Sequence, residues 1–254
     1  MHFAPVTFAE ENKTATGSGS NFGIQSLIQD VNNLQKEASA EGERKQKNLS
    51  EIIKRADTLI TNRINELNKN LTRIQNDKRL TNSQKQSLTN QIQDTINGLT
   101  SLKTKIDADT NTSFALSDAK QIFTNFRVYE ILEPKINLLI MLNNIQTVTT
   151  NLQNLMPQLQ NLVGSFKSQG KDTTQLESLI NDINTQISAI QTTITQDIAK
   201  VQEVNINTTN PSVTFQQIRK DLEDTVKTGF QKIRTDIGQM RPIFKEMISP
   251  ATTQ

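Results

Sequence analysis

The chain of 254 residues has no cysteine, which removes disulfides, thiolate nucleophiles and cysteine-ligated metals together. Its one histidine, His2, stands at the extreme N-terminus, so no imidazole is available for an interior acid–base or metal site. There is no tryptophan and a single tyrosine, Tyr129; aromatics make up 4% and hydrophobic residues 34%. That supply suits the thin seam between a few long helices better than a three-layer α/β body. Only 9 glycines and 6 prolines are present. Positive-φ turns must then be few, which argues against a many-stranded β fold. No apolar run reaches the roughly 18 residues of a membrane-spanning helix. No G-x-S-x-G elbow, phosphate-cradling glycine loop or pair of E-x-x-H motifs occurs. A non-enzymatic protein without cofactor or metal is the expectation. A net charge of +2 is no polyanion-binding signature by itself.

Amides and hydroxyls are what the chain has in abundance: 26 Asn, 25 Gln and 31 Thr. Polar helix faces are therefore covered by neutral groups more than by ion pairs. Thr and Asn are mediocre helix formers, so such helices depend on packing. Apolar residues recur at helical spacing almost throughout. Asn21 is placed to cap a short helix carrying Ile24, Leu27, Ile28, Val31 and Leu34. From Glu43 to Lys78 the stripe Leu49, Ile53, Ala56, Ile60, Ile64, Leu67, Leu71, Ile74 predicts one helix about 50 Å long. Residues 79–82 break it. Thr81 and Gln84 then offer a capping box for a second helix reaching about Asp109, with Leu88, Ile92, Ile96, Leu99, Leu102 and Ile106 on one face. The short connection implies an antiparallel hairpin.

A third helix bears Leu116, Ala119, Ile122, Phe123 and Phe126 and extends to Tyr129; Pro134 kinks it or starts the next. That next helix continues through Leu139, Leu142, Ile145, Val148, Leu152, Leu155, Leu159, Leu162 and Phe166, with a bend expected at Pro157 and Gly170 as the residue past its end. Thr174 and Glu177 suggest another capping box. The stripe Leu176, Ile180, Ile183, Ile187, Ile190, Ile194, Ile198, Val201 follows. Asn210-Pro211 opens a last helix with Phe215, Ile218, Leu222, Val226, Phe230, Ile233 and Ile237, and Pro242 and Pro250 close the ordered chain. The fold class predicted is all-α, an elongated antiparallel helical bundle of about five to six long amphipathic helices. Its expected layout is a disordered N-terminal segment 1–21, a bundle 22–248 and a disordered tail 249–254. Within the first segment, Thr7-Phe8-Ala9 has the small-x-small form of a signal-peptidase site, the remnant of a secretory signal or a plain terminus.

Three features bear on function. Residues 43–79 hold ten basic against five acidic side chains. Arg44, Lys45, Lys47, Lys54, Arg55, Arg63, Lys69 and Arg73 define a candidate interaction face, able to meet an anionic surface or simply to be solvated. No aromatic residues interleave with them, which disfavours nucleic acid as a partner. Residues Ile136–Phe166 carry no charge over 31 positions, 13 of them Asn, Gln or Thr. Such a helix is either surrounded by neighbours or docks a partner or a bilayer. Phe123, Phe126 and Tyr129 cluster at helical spacing, with Arg127 placed to cover them with its stem. Asp221, Glu223 and Asp224 fit a solvated face.

Four stretches carry a family resemblance: RADTLITNRINELNKNLTRI (Arg55–Ile74), LTNSQKQSL (Leu80–Leu88), LTSLKTKIDADT (Leu99–Thr110) and IFTNFRVYEILEPKINLL (Ile122–Leu139). Together they resemble a family of uncharacterised secreted, signal-peptide-bearing helical proteins of candidate-phyla bacteria. The shared marks are the arginine-rich first helix, the K-x-K-I-D-A-D-T helix end, and the F-R-V-Y turn followed by E-P-K. The resemblance covers a little under half of the chain and implies an extracytoplasmic helical protein, with no catalytic or binding residue to carry over. Three functions follow as expectations. The first is a structural or protein-interaction role at the cell envelope or surface, with an unknown protein or envelope component as partner, or self-association. The second is a lipid-active or pore-forming role through Ile136–Phe166. The third is a cytoplasmic anion or nucleic-acid binder through the basic 43–79 helix.

Overall fold

A computed structural model describes residues 42–248, with side chains from residue 46. The expectations for Thr7-Phe8-Ala9, segment 1–21, the Asn21-capped helix, Arg44, Lys45, Pro250 and tail 249–254 lie outside those residues or side chains. All regular structure among the described residues is helical, as expected of an all-α bundle. The elements are α1 (Gly42–Asn76), α2 (Asn82–Asp107), α3 (Thr112–Thr124), a π turn (Val128–Leu132), α4 (Glu133–Ser168), α5 (Thr174–Glu203), α6 (Pro211–Asp221), a second π segment (Leu222–Lys227) and α7 (Thr228–Ile248).

Several boundaries follow directly from side-chain chemistry. The Thr81 backbone N–H donates to Gln84 Oε1 (2.9 Å) and the Gln84 N–H to Thr81 Oγ1 (3.1 Å), a complete capping box opening α2. Asn111 caps α3 by accepting from the Phe114 N–H. Gly170, at φ 78°, ends α4 in a Schellman motif: its N–H reaches Lys167 O and the Lys171 N–H reaches Phe166 O. Pro134 lies in the first turn of α4 and Pro211 in that of α6, where no N–H is missed.

Other boundaries differ from the sequence expectation. Thr174 does not cap α5; it is the first helical residue, its N–H held by Asp172, while the Thr173 hydroxyl bonds Glu177. Helix α3 stops at Thr124, before Tyr129, and Arg127, at φ 39°, takes the left-handed conformation three residues later. Pro242 does not close the chain; α7 runs through it to Ile248, as α4 runs through Pro157. Both prolines, and Gln153 and Gly238 four residues before them, are exposed, so water can reach the carbonyls that lose a partner.

The contacts divide the described residues into two compact units, the first comprising 42–71 and 90–130, the second 72–89 and 131–248. In the first unit, Ile52, Ala56, Ile60 and Leu67 of α1 are buried, as are Ile92, Leu99, Leu102 and Ile106 of α2 and Ala115, Leu116, Ala119 and Ile122 of α3. Each such large aliphatic side chain stabilises the fold by roughly 1.5–3 kcal/mol on burial. Lys103 reaches back to Asp57 (2.7 Å) and Lys105 forward to Asp118 (2.8 Å), so α1, α2 and α3 alternate in direction. Gly98 permits one close approach: a Cβ there would collide with the Phe126 ring.

The second unit packs α4 on α5 and α5 on α7. Gln191 bonds Gln153 (2.6 Å) and Lys167 bonds Glu177 (2.8 Å), which sets α4 and α5 antiparallel. Lys232 to Asp182 (3.2 Å), and Lys171 to the Met247 carbonyl, set α5 and α7 antiparallel as well. The α1–α2 turn belongs here: Arg73 donates to Asn137 and Arg79 to Asn144, both on α4. Helix α4 is buried on several sides only in its first half, at Ile136, Leu138, Leu139, Ile140, Leu142, Asn143, Ile145 and Thr149. Beyond residue 150 one side is buried, at Met156, Val163 and Phe166, so the charge-free stretch is not enclosed along its length.

Candidate functional site

The basic residues of α1 whose side chains are described differ in what they meet. Lys47 and Lys54 are exposed. Arg55 pairs with Glu51 one turn earlier (3.0 Å) and Lys69 with Glu66 (2.7 Å). Arg73 belongs to the second unit and donates to Asn137 (2.6 Å). Arg63 is the exception in kind. It is only 5% exposed and leaves the solvated face altogether.

The reason lies in the α1 stripe. Buried positions run Ile52, Ala56, Ile60, Arg63, Leu67, Asn70, Ile74, while Ile53, Ile64 and Leu71 are half-buried. Arg63 thus occupies a seam position between Ile60 and Leu67. Its guanidinium carbon lies 4.6 Å from the Phe123 ring centre and 5.0 Å from that of Tyr129. These are cation–π distances, favourable where water is excluded. Arg63 therefore covers Phe123 and Tyr129 of the aromatic cluster. The Arg127 head grips Glu130 through two hydrogen bonds, Nε to Oε2 (2.8 Å) and Nη2 to Oε1 (2.6 Å), which hold the Glu130 carboxyl below its usual range. That fork helps fix the left-handed Arg127 and so aims Tyr129 at α1.

Within this cluster Arg63 has one hydrogen bond, from Nη1 to the Leu59 carbonyl at 3.3 Å. No carboxylate among the described residues pairs with it. Burial pushes its guanidinium below the ordinary range, and the Tyr129 hydroxyl partly offsets this. Lys69 lies within electrostatic reach of the same hydroxyl, although its raised pKa comes first from its hydrogen bond to Glu66.

Buried charged groups in the second unit join helices. Lys135 is 2% exposed and donates to the Gln202 (3.0 Å) and Val204 (2.7 Å) carbonyls, closing the end of α5. Burial lowers its pKa. Asp197, wholly buried on α5, accepts from Lys200 (2.8 Å), which also reaches Asp221 on α6 (3.0 Å). Burial raises the Asp197 carboxyl, Lys200 opposes, and the Asp221 carboxylate adds to the rise. Asp221 therefore departs from the solvated face expected of it, whereas Glu223 and Asp224 are exposed and pair with Lys227 and Lys220.

Arg63 is visible in the sequence as a cation but not as a buried one; Asp221 reads as part of a solvated face, and nothing in the residue types of Lys135 and Asp197 marks them as buried. The available signal was spacing. Asp197 continues Ile190, Ile194 toward Val201 in steps of four, three and four. Among the described residues, no cluster of three or more acidic or imidazole side chains could hold a metal ion, and no helix is long and apolar enough to cross a membrane. The fold makes the chain an all-α helical-bundle protein; compared with family models, curated proteins and solved structures, it matches none.

Proposed function

We propose that this is a non-enzymatic helical-bundle protein with a structural or protein-interaction role outside the cytoplasm, at the cell envelope or surface. The observation that carries the non-catalytic part is what three lysines and their partners do. Lys135 closes a helix end, Lys200 bridges two carboxylates on different helices, and Lys105 ties α2 to Asp118 of α3. Each is engaged in joining helices, as a scaffold requires. The placement outside the cytoplasm rests on the family resemblance and on Thr7-Phe8-Ala9. Fractionation of the native cells with N-terminal sequencing tests it. Recovery outside the cytoplasmic membrane, beginning at Glu10, is the expected outcome. Cytoplasmic recovery with Met1 intact overturns it and moves the anion-binding reading to first place. A retention assay on nucleic acid with salt-dependent binding would support that reading, and none would remove it.

One observation favours a second reading, lipid activity. Along the second half of α4, Val148, Leu152, Leu155 and Leu159 are half-buried and Leu162 is 44% exposed, in alternating steps of four and three without a charge between them. Dye release from liposomes, with protection of 148–162, would establish lipid activity; intact liposomes at saturating protein would dismiss it.

A further inference from the structure

The buried guanidinium of Arg63 is not fully used by the fold. Two rings lie against it, with the Phe123 centre 4.6 Å and the Tyr129 centre 5.0 Å from its guanidinium carbon. One of its five N–H donors is engaged, by the Leu59 carbonyl at a long 3.3 Å. Nε and Nη2 have no acceptor among the described residues, yet neither atom is sealed from solvent. Such a buried cation, paired with no acid among the described residues, is costly to the fold. A guanidinium packed against aromatic rings with unengaged donors is also the arrangement that receives a forked oxyanion.

We propose that the unengaged donor edge of Arg63, beside Phe123 and Tyr129, is a receptor for a single carboxylate presented by a partner polypeptide. The charge balance selects the ligand. Of the two cations near the Tyr129 hydroxyl, Lys69 is already neutralised by Glu66 at 2.7 Å. One positive charge without a carboxylate partner among the described residues remains. A monoanionic carboxylate matches it, whereas a phosphate would bring a second negative charge close to Glu66. The proposal deepens the interaction role and rests on it for the nature of the partner. The carboxylate site itself can fail or hold independently of where the protein resides.

Tyr129 provides the readout, because it is the sole tyrosine in a chain without tryptophan. The full chain is titrated with acetate, inorganic phosphate and chloride at matched ionic strength and pH, following tyrosine emission. The expected result is a saturable change with acetate, weaker with phosphate and absent with chloride. Arg63→Lys, which keeps the charge but loses the fork, should weaken acetate by about tenfold or more. An equal response to chloride, a tighter response to phosphate, no saturable response, or an unchanged Arg63→Lys would each overturn the proposal. Should Arg63→Lys fail to fold, the Arg63 Nε–H resonance of the natural protein decides. A shift with acetate and none with chloride supports the site, and an unmoved resonance overturns it.

Discussion

At the scale of single residues, the polar side chains that matter most occupy seam positions that belong by spacing to aliphatic residues. Asp197 is the clearest case for a pH experiment. Its folded pKa is raised by burial, so the folded chain binds more protons than the unfolded chain between the two values. Its contribution is thus present below the ordinary aspartate range and is lost as pH rises through the raised value. Asp197→Asn, which keeps the shape and removes the buried charge, should gain about 1 kcal/mol over the natural protein at pH 7. The gain should shrink to nothing as pH falls below the ordinary range. Denaturant melts of both proteins from pH 3 to 8 would check this, and a difference independent of pH would refute it. Lys135→Met should lose about 1–3 kcal/mol, since the carbonyls of Gln202 and Val204 would lose their buried donor. These positions were illegible in the sequence for a physical reason. Periodicity shows through apolar residues, so a charge in the seam looks like a gap, and the next aliphatic neighbour takes its place. Ile64 stood in for Arg63 and Ile198 for Asp197 in this way, although both are only half-buried.

At the scale of elements, local chemistry carried more. The Thr81/Gln84 box and the Gly170 terminus were legible because each depends on residues within one turn of the boundary. Thr81→Ala should cost about 1 kcal/mol. Gly170→Ala should cost about as much, by forcing an alanine to φ 78°. Thermal melts of the two single variants measure both, and their sum should hold in the double variant, because the sites share no partner. What could not be seen was the change of helical pitch. Ile218, Leu222, Val226 and Phe230 follow in consecutive steps of four. In an α-helix each such step would rotate the stripe by about 40° away from its seam. The π segment Leu222–Lys227 takes more residues per turn and keeps Ile218, Leu222 and Val226 buried. The early stop of α3 was hidden likewise, since no glycine marks the left-handed residue; Arg127 takes that role, aided by its grip on Glu130. Glu130→Gln should therefore loosen the turn, seen as altered Tyr129 emission without loss of helical circular dichroism; an unchanged spectrum would show that the turn does not depend on that pair.

At the scale of the whole molecule, the all-α class and most of the aliphatic core follow from the stripes. Leu67, Leu142 and Ile187 are each at most 1% exposed. Changing any one to Asp should cost at least about 3 kcal/mol, because a charge would enter a seam with no partner. Unchanged melting of all three would show the seams to be misassigned. The candidate interaction face was less legible. A cluster of cations along a sequence carries no record of which neighbours will neutralise them. Glu51 and Glu66 do so locally, and Asn137 engages Arg73 from 64 residues away.

The membership of residues 72–89 has a consequence for how the chain comes into being. Every described residue of the first unit has been made once Glu130 is in place. The turn between α1 and α2, made well before that point, belongs to the second unit, and its partners Asn137 and Asn144 are still to come. A chain emerging from the ribosome, or threading through a translocation channel, therefore holds Arg73 and Arg79 without their amide acceptors until α4 has followed. The hairpin tip, though made early, gains these partners only after every described residue of the first unit has been made.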